Sequence, residues 1–147
     1  MSQGISVLVV VAALAVAFGG WRMVRGGRFS SRRSTAGAGG RAAPAGVPGL
    51  DGLGAMGDRA TLLQFSSAFC APCRATRRVL GEVADLVPGV THVEVDAEKH
   101  LDLVRRLGVV RTPTTVLLDP DGRELSRASG APRKDEVLAT LARVLDA

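Results

Sequence analysis

The spacing of apolar and polar residues changes several times along the chain, and each change marks an element. Residues 5–18 are almost continuously apolar, and no charged side chain occurs from Met1 to Trp21. A helix rises about 1.5 Å per residue, so about 20 residues span a hydrocarbon core of about 30 Å. Residues 1–25 therefore read as one transmembrane helix, with Trp21 and Arg22 at the interface and the start of a basic flank. A cleaved signal peptide and a buried helix are the rivals. Ala15-Val16-Ala17 resembles a small-residue cleavage site, but no Lys or Arg precedes the apolar run as such peptides require. Residues 26–57 are rich in Gly, Ala, Ser, Pro and Arg without periodicity, the composition of a flexible linker. Within it, residues 47–56 are apolar enough to add an edge strand or a turn to the domain beyond them.

From Asp58 the periods sharpen, and residues 58–147 form the folded domain. The run ATLLQFS (60–66) suits a buried strand. Residues 72–87 are helical, with Val79, Leu80, Val83, Leu86 and Val87 on one face and Arg74, Arg77 and Arg78 on another. Val93 and Val95 alternate with His92, Glu94 and Asp96, which predicts a strand. Residues 100–107 predict a short helix stopped by Gly108. Two strands, 114–119 and 124–129, flank the turn Pro120-Asp121-Gly122-Arg123. Val137, Leu138, Leu141, Val144 and Leu145 outline a final amphipathic helix. The order β-α-β-α-β-β-α calls for an α/β fold, a mixed central sheet with helices on both faces.

Charge changes the picture only at one end. The chain carries +5, but six arginines against Asp51 precede residue 58, and the remaining 13 bases and 13 acids balance. The excess sits beside the apolar N-terminus, where basic runs meet anionic lipid. With Phe65 and Phe69 as the domain's aromatics, a base-stacking platform is missing and no nucleic-acid partner is expected. The ratio of 17 Arg to 2 Lys reflects a GC-rich genome rather than a mechanism.

The two cysteines, Cys70 and Cys73, are three positions apart, with Ala71 and Pro72 between them. No other cysteine is present to build a disulfide framework. Cys70 falls where a strand ends and a helix begins, so unpaired N–H groups and the helix dipole favour its thiolate. Cys73 lies one turn further in, placed to resolve a mixed disulfide by attacking Cys70. Pro72 fits a first helical turn, where a missing N–H costs nothing. A zinc half-site is the rival reading, but zinc takes four ligands. His92 and His100, eight residues apart, are the only further candidates, so no metal is expected. Both histidines are expected in solvent, His92 on the polar side of a strand and His100 near a helix start. The arginine face of residues 74–78 reads as solvated, with docking of an acidic partner as the alternative.

The segment FSSAFCAPCRATRRVL (65–80) resembles the active-site segment of thioredoxins: apolar strand, short loop, Cys-x-Pro-Cys, amphipathic helix. Arg111-Thr112-Pro113-Thr114 before an apolar strand resembles the family's cis-proline loop, and the hairpin and last helix fit as well. The resemblance implies a thioredoxin-like fold over 58–147, preceded here by the transmembrane helix as in bacterial membrane-anchored members. It implies that Cys70 and Cys73 cycle between dithiol and disulfide without a cofactor. It also implies a cis Thr112–Pro113 bond, with the Thr112 backbone facing Cys70 and pairing with an extended substrate.

Two departures stand out. Where thioredoxins carry a buried aspartate, thought to move the proton of the resolving thiol, this chain has Gln64, which cannot act as a base. Where they place Trp before the first cysteine, it has Phe69. Water, Glu94 or Asp96 are the substitutes for the missing acid.

The reading is a membrane-anchored protein-disulfide reductase, monomeric, taking disulfide-containing proteins as substrates and needing an upstream reductant. One variant of it is a dedicated electron donor to a single membrane or haem-maturation partner. The alternative, kept open by Gln64, is a thioredoxin-fold binding or scaffolding module with redox-sensing or idle cysteines. For sidedness, anchored relatives usually face outward. Arg22, Arg25, Arg28, Arg32 and Arg33 following the apolar run, with no charged side chain before it, instead predict a cytoplasmic domain.

Overall fold

The computed structural model describes residues 2–25, 29–30, 47, 49–50 and 52–146. Helix α1 (Ser2–Arg25) comes first, and its side chains are described over residues 6–21, all exposed. Among the described residues no helix is long and apolar enough to cross a membrane.

The domain is a five-stranded mixed sheet in the order β1-β5-β4-β2-β3. Its strands are β1 (Phe29–Ser30), β2 (Ala60–Ser66), β3 (Val90–Asp96), β4 (Thr114–Leu118) and β5 (Glu124–Ser129). Between them lie α2 (Ala71–Leu86) and α3 (Leu101–Arg106), and α4 (Lys134–Leu145) closes the chain. Strands β2 and β3 are parallel, which requires the crossover that α2 supplies. Strands β2, β4 and β5 pair antiparallel around the Asp119–Arg123 turn, where Gly122 takes φ +77° and donates to the Asp119 carbonyl.

Alternation along β2 divides the core. Ala60 and Leu62 face α2 and α4, packing on Leu80, Val83, Val137 and Leu141. Leu63 and Phe65 face the opposite side, against Val93, Val95, Leu103 and Val116. Each Val, Leu or Phe side chain buried here contributes roughly 1.5–3 kcal/mol. Buried residues of α2 recur as Cys73, Thr76, Leu80 and Val83, the spacing of one helical stripe. The helix begins with proline in its first turn and gives way at Val87, ahead of Pro88 and of Gly89 at φ +80°.

Two features differ from the sequence expectation. Strand β3 starts at Val90, ahead of the visible alternation, because Ala60 on β2 pairs with it and extends the ladder. Phe29–Ser30 adds a strand to β5, a pairing that the aperiodic 26–57 stretch gave no sign of. It covers a row of backbone groups that β5 would otherwise leave open, and Phe29 packs on the α2/α4 core. Of the two outcomes expected for residues 47–56, the described residues take the turn: the Leu53 N–H donates to the Leu50 carbonyl, and Val47, Leu50, Leu53 and Met56 pack on the α3 side. Residues 31–46 of the expected linker lie outside the described residues.

Candidate redox site

Cys70 is the N-cap of α2, in extended conformation at φ −90°, ψ 95°, where the first free N–H groups of the helix converge. Its own N–H is held by the Ser67 carbonyl, and its carbonyl accepts from the Cys73 N–H. Cys70 and Cys73 are joined in a disulfide, with S–S 2.07 Å. Cys70 is partly exposed, whereas Cys73 is 2% exposed. An attacking partner therefore reaches Cys70, and Cys73 is sheltered beneath it. Ala71, Pro72 and Phe69 are exposed around the pair.

The Thr112–Pro113 bond is cis, as the resemblance implies. The register that sets Thr114 opposite Phe65 carries this loop up beside the loop before Cys70. The two loops are tied by the Ser67 and Thr112 hydroxyls, 3.0 Å apart. Pro113 is buried, and its carbonyl accepts from Gly130.

A cleft of about 350 Å³ opens beside the disulfide. Cys70 and Cys73 line it together with Arg74, Arg77, Glu94 and Asp96. Under it runs a polar network that the parallel register of β2 and β3 creates. Gln64 is fully buried on the face that meets α2. Its Nε2 donates to Ser66 Oγ at 2.8 Å and to the Cys73 carbonyl at 3.0 Å. Its Oε1 lies 3.1 Å from His92 Nε2; a carbonyl oxygen only accepts, so His92 Nε2 carries the proton. Ser66, accepting from Gln64, donates to Glu94 Oε1 at 2.6 Å, and Arg77 closes the chain with a two-pronged pair to the same carboxylate. One line of donors thus runs from His92 through Gln64 and Ser66 to Glu94, with a branch from Gln64 to the Cys73 carbonyl and with Arg77 donating to Glu94 from the other end.

The electrostatics follow from this wiring. Burial pushes the Glu94 carboxyl up, but the hydrogen bonds from Arg77 and Ser66 and the Arg77 and His92 charges outweigh it. The carboxyl ends below its ordinary value and stays ionised. Burial lowers the His92 pKa first, opposed by the Glu94 charge and aided by that of Arg77, so the imidazole resists protonation more than a free one.

Both histidines differ from expectation. His92 is half-buried on Gln64, and His100 is half-buried with Nδ1 against the Asp96 carbonyl, 3.0 Å away. Among the described residues no three of His, Cys, Asp and Glu gather to hold a metal ion. Arg77 does not lie on a purely solvated face, since it is committed to Glu94. The sequence reading missed Ser66 and His92. The signal was present, because residues 64, 66, 92 and 94 share one parity on two strands. The register joining them was not readable.

Comparisons with known proteins fit this geometry. Residues 52–145 match a family model described as a thioredoxin-like domain. A thioredoxin H-type of Fagopyrum esculentum is 33% identical over 81 residues, covering 55% of this chain and 68% of the relative. A thioredoxin of Alicyclobacillus acidocaldarius is 31% identical over 91 residues, covering 61% and 86%. Among solved structures, Fasciola hepatica thioredoxin superposes with TM-score 0.53 at 27% identity, covering 60% of this chain and 83% of its own.

Proposed function

This chain belongs to the thioredoxin-like domain family and is a thioredoxin-type disulfide reductase, and from that premise we propose how its own residues carry the reaction and where it works. In the reduced protein the Cys70 thiolate attacks one sulfur of a substrate disulfide, and the substrate's other sulfur leaves as a thiolate. Cys73, deprotonated, then attacks Cys70 Sγ, which expels the second substrate thiolate and leaves the Cys70–Cys73 disulfide. Two electrons have passed to the substrate, and an upstream thiol or dithiol reductant restores the pair. The observation that carries this assignment is the contrast between a reachable Cys70 at the helix start and a sheltered Cys73 behind it.

Gln64 has no proton-accepting group of suitable basicity. We assign the proton of Cys73 to Glu94, which shares the cleft with that sulfur and is kept ionised by Arg77 and Ser66. Asp96 lines the same cleft but stands outside the chain of hydrogen bonds that links Glu94 through Ser66 and Gln64 to the Cys73 carbonyl; its partners are the Glu98 N–H and Lys99. The Thr112–Pro113 loop, tied to Ser67, is the shelf for the substrate backbone.

The protein works, in this reading, as a bacterial membrane-anchored member of the family with a cytoplasmic domain. Supporting the anchor are the uncharged run up to Trp21 and the exposed apolar side chains of α1, among them Val7, Leu8, Val11, Leu14 and Phe18. Supporting the orientation is the cluster of five arginines that follows the run, against none before it.

Insulin reduction by the full-length chain in detergent, driven by dithiothreitol, tests the activity. Turnover is expected from the natural sequence and none above background from Cys70→Ser; equal rates for the two would remove the assignment. Labelling Cys70 in intact cells with a membrane-impermeant maleimide after mild reduction tests the sidedness. Protection until lysis is expected, and prompt labelling would put the domain outside.

A further inference from the structure

The surface around Cys70 carries an unbalanced charge that the neutral domain as a whole conceals. Both acids of the cleft are answered from within the chain: Glu94 by Arg77 and Asp96 by Lys99. Arg74, also lining the cleft beside Cys70, is exposed and has no carboxylate partner among the described residues. Arg111 is exposed on the other bordering element, immediately before the Thr112 whose hydroxyl meets Ser67. Its guanidinium donates to the Ser129 carbonyl, which leaves its charge uncompensated. Two bare apolar side chains adjoin these positions in the chain, Phe69 next to Cys70 at 99% exposure and Val110 next to Arg111 at 89%. Such exposure of a phenyl ring next to a reactive sulfur favours a partner that covers it.

We propose that this face selects acidic polypeptide substrates: an extended segment with an apolar residue next to its disulfide-bonded cysteine and Asp or Glu further out on both sides. The apolar residue covers Phe69 or Val110, and the flanking carboxylates meet Arg74 and Arg111. Charge complementarity is the ground for choosing this occupant. Exposed guanidinium–carboxylate pairs are individually weak, so the effect is on encounter and orientation more than on residence. Two unneutralised cations, one on each of the two elements that meet at the redox site, are expected to favour acidic over basic partners by about 3- to 10-fold at low salt. The proposal rests on the reductase reading above and adds its substrate class.

The test uses the full-length chain in detergent, reduced beforehand, and three peptides with one cysteine in mixed disulfide with the same small neutral thiol. The peptides share a leucine beside the cysteine and differ in carrying Glu, Gln or Lys at the two outer positions. Each rate is divided by that for reduction by dithiothreitol, which removes the effect of peptide charge on its own sulfur. A neutral small disulfide is run alongside. We expect the order Glu, Gln, Lys, with the Glu-to-Lys ratio falling toward one in 0.5 M salt, where the Debye length drops to about 4 Å. The ratio should shrink in Arg74→Gln and in Arg111→Gln, and approach one in the double variant. Reduction of the neutral disulfide with no preference among peptides would overturn the surface and leave the reductase reading standing. The same preference in the double variant would assign the selectivity elsewhere and overturn the proposal. Failure to reduce any disulfide would overturn both.

Discussion

Replacing Gln64 by leucine removes the hub of the network under Cys73 while keeping about the same volume. Three hydrogen bonds are lost: Nε2 to Ser66 Oγ, Nε2 to the Cys73 carbonyl, and His92 Nε2 to Oε1. Each contributes a net of roughly 0.5–1.5 kcal/mol, and the half-buried His92 N–H is left without its acceptor. Burial of the leucine offsets part of this, so a net loss of about 1–3 kcal/mol is expected. For a domain of this size that is a fall in Tm of roughly 5–20 °C. The neighbouring strand supplies the control. Thr115 pairs opposite Gln64 and is fully buried, yet its Oγ1 has no hydrogen-bond partner. Thr115→Val should therefore be neutral or stabilising, within about 1 kcal/mol. Urea denaturation of the oxidised full-length chain in mild detergent, followed by circular dichroism, compares the two; the single tryptophan, Trp21, lies outside the domain and does not report on it. A Gln64→Leu variant as stable as the natural chain, or a Thr115→Val variant that falls as far, would refute the wiring.

Other expectations concern the same site. Burial holds His92 below its ordinary 6.5, so the unfolded chain binds a proton that the folded one resists. Its contribution to stability is complete above that value and is lost as pH falls toward the lower folded one. Urea midpoints between pH 7.5 and 5 should show this decline, reduced in His92→Gln; an unchanged slope in the variant would count against it. Glu94→Gln should slow insulin reduction about 10-fold at pH 7 and less at pH 9, where thiols ionise unaided, with Glu94→Asp recovering part of the rate. An equal deficit at both pH values would argue against a proton role. Ala71-Pro72 places no cation between the cysteines, so equilibration with glutathione buffers should give a potential between about −200 and −280 mV. A value near about −120 mV would mean an oxidase.

The sheet and its helices were legible because β2, α2, β5 and α4 each have a period that local chemistry alone enforces: buried runs, one apolar stripe, a Pro-Asp-Gly turn. The cysteine pair and the proline loop were legible as motifs. Tertiary pairing was not. Phe29–Ser30 is too short to carry a period, and only the open edge of β5 gives it a reason to extend. His92 looked like a polar strand residue facing water. It is drawn inward because Gln64, one strand away, offers an acceptor that a local reading of either segment cannot reveal. Gln64 itself looked like the loss of an acid; the structure makes it a donor that turns Ser66 toward Glu94.

The central claim is that Cys70 attacks and Cys73 resolves, and trapping of reaction intermediates tests it most directly. Full-length Cys73→Ser and Cys70→Ser chains, reduced and exposed to a disulfide-bonded protein, are resolved on non-reducing gels with the linked residue identified by mass spectrometry. Cys73→Ser should accumulate a mixed disulfide through Cys70, and Cys70→Ser should accumulate almost none. A stable adduct through Cys73 in the Cys70→Ser chain, with little in the other, would contradict the account.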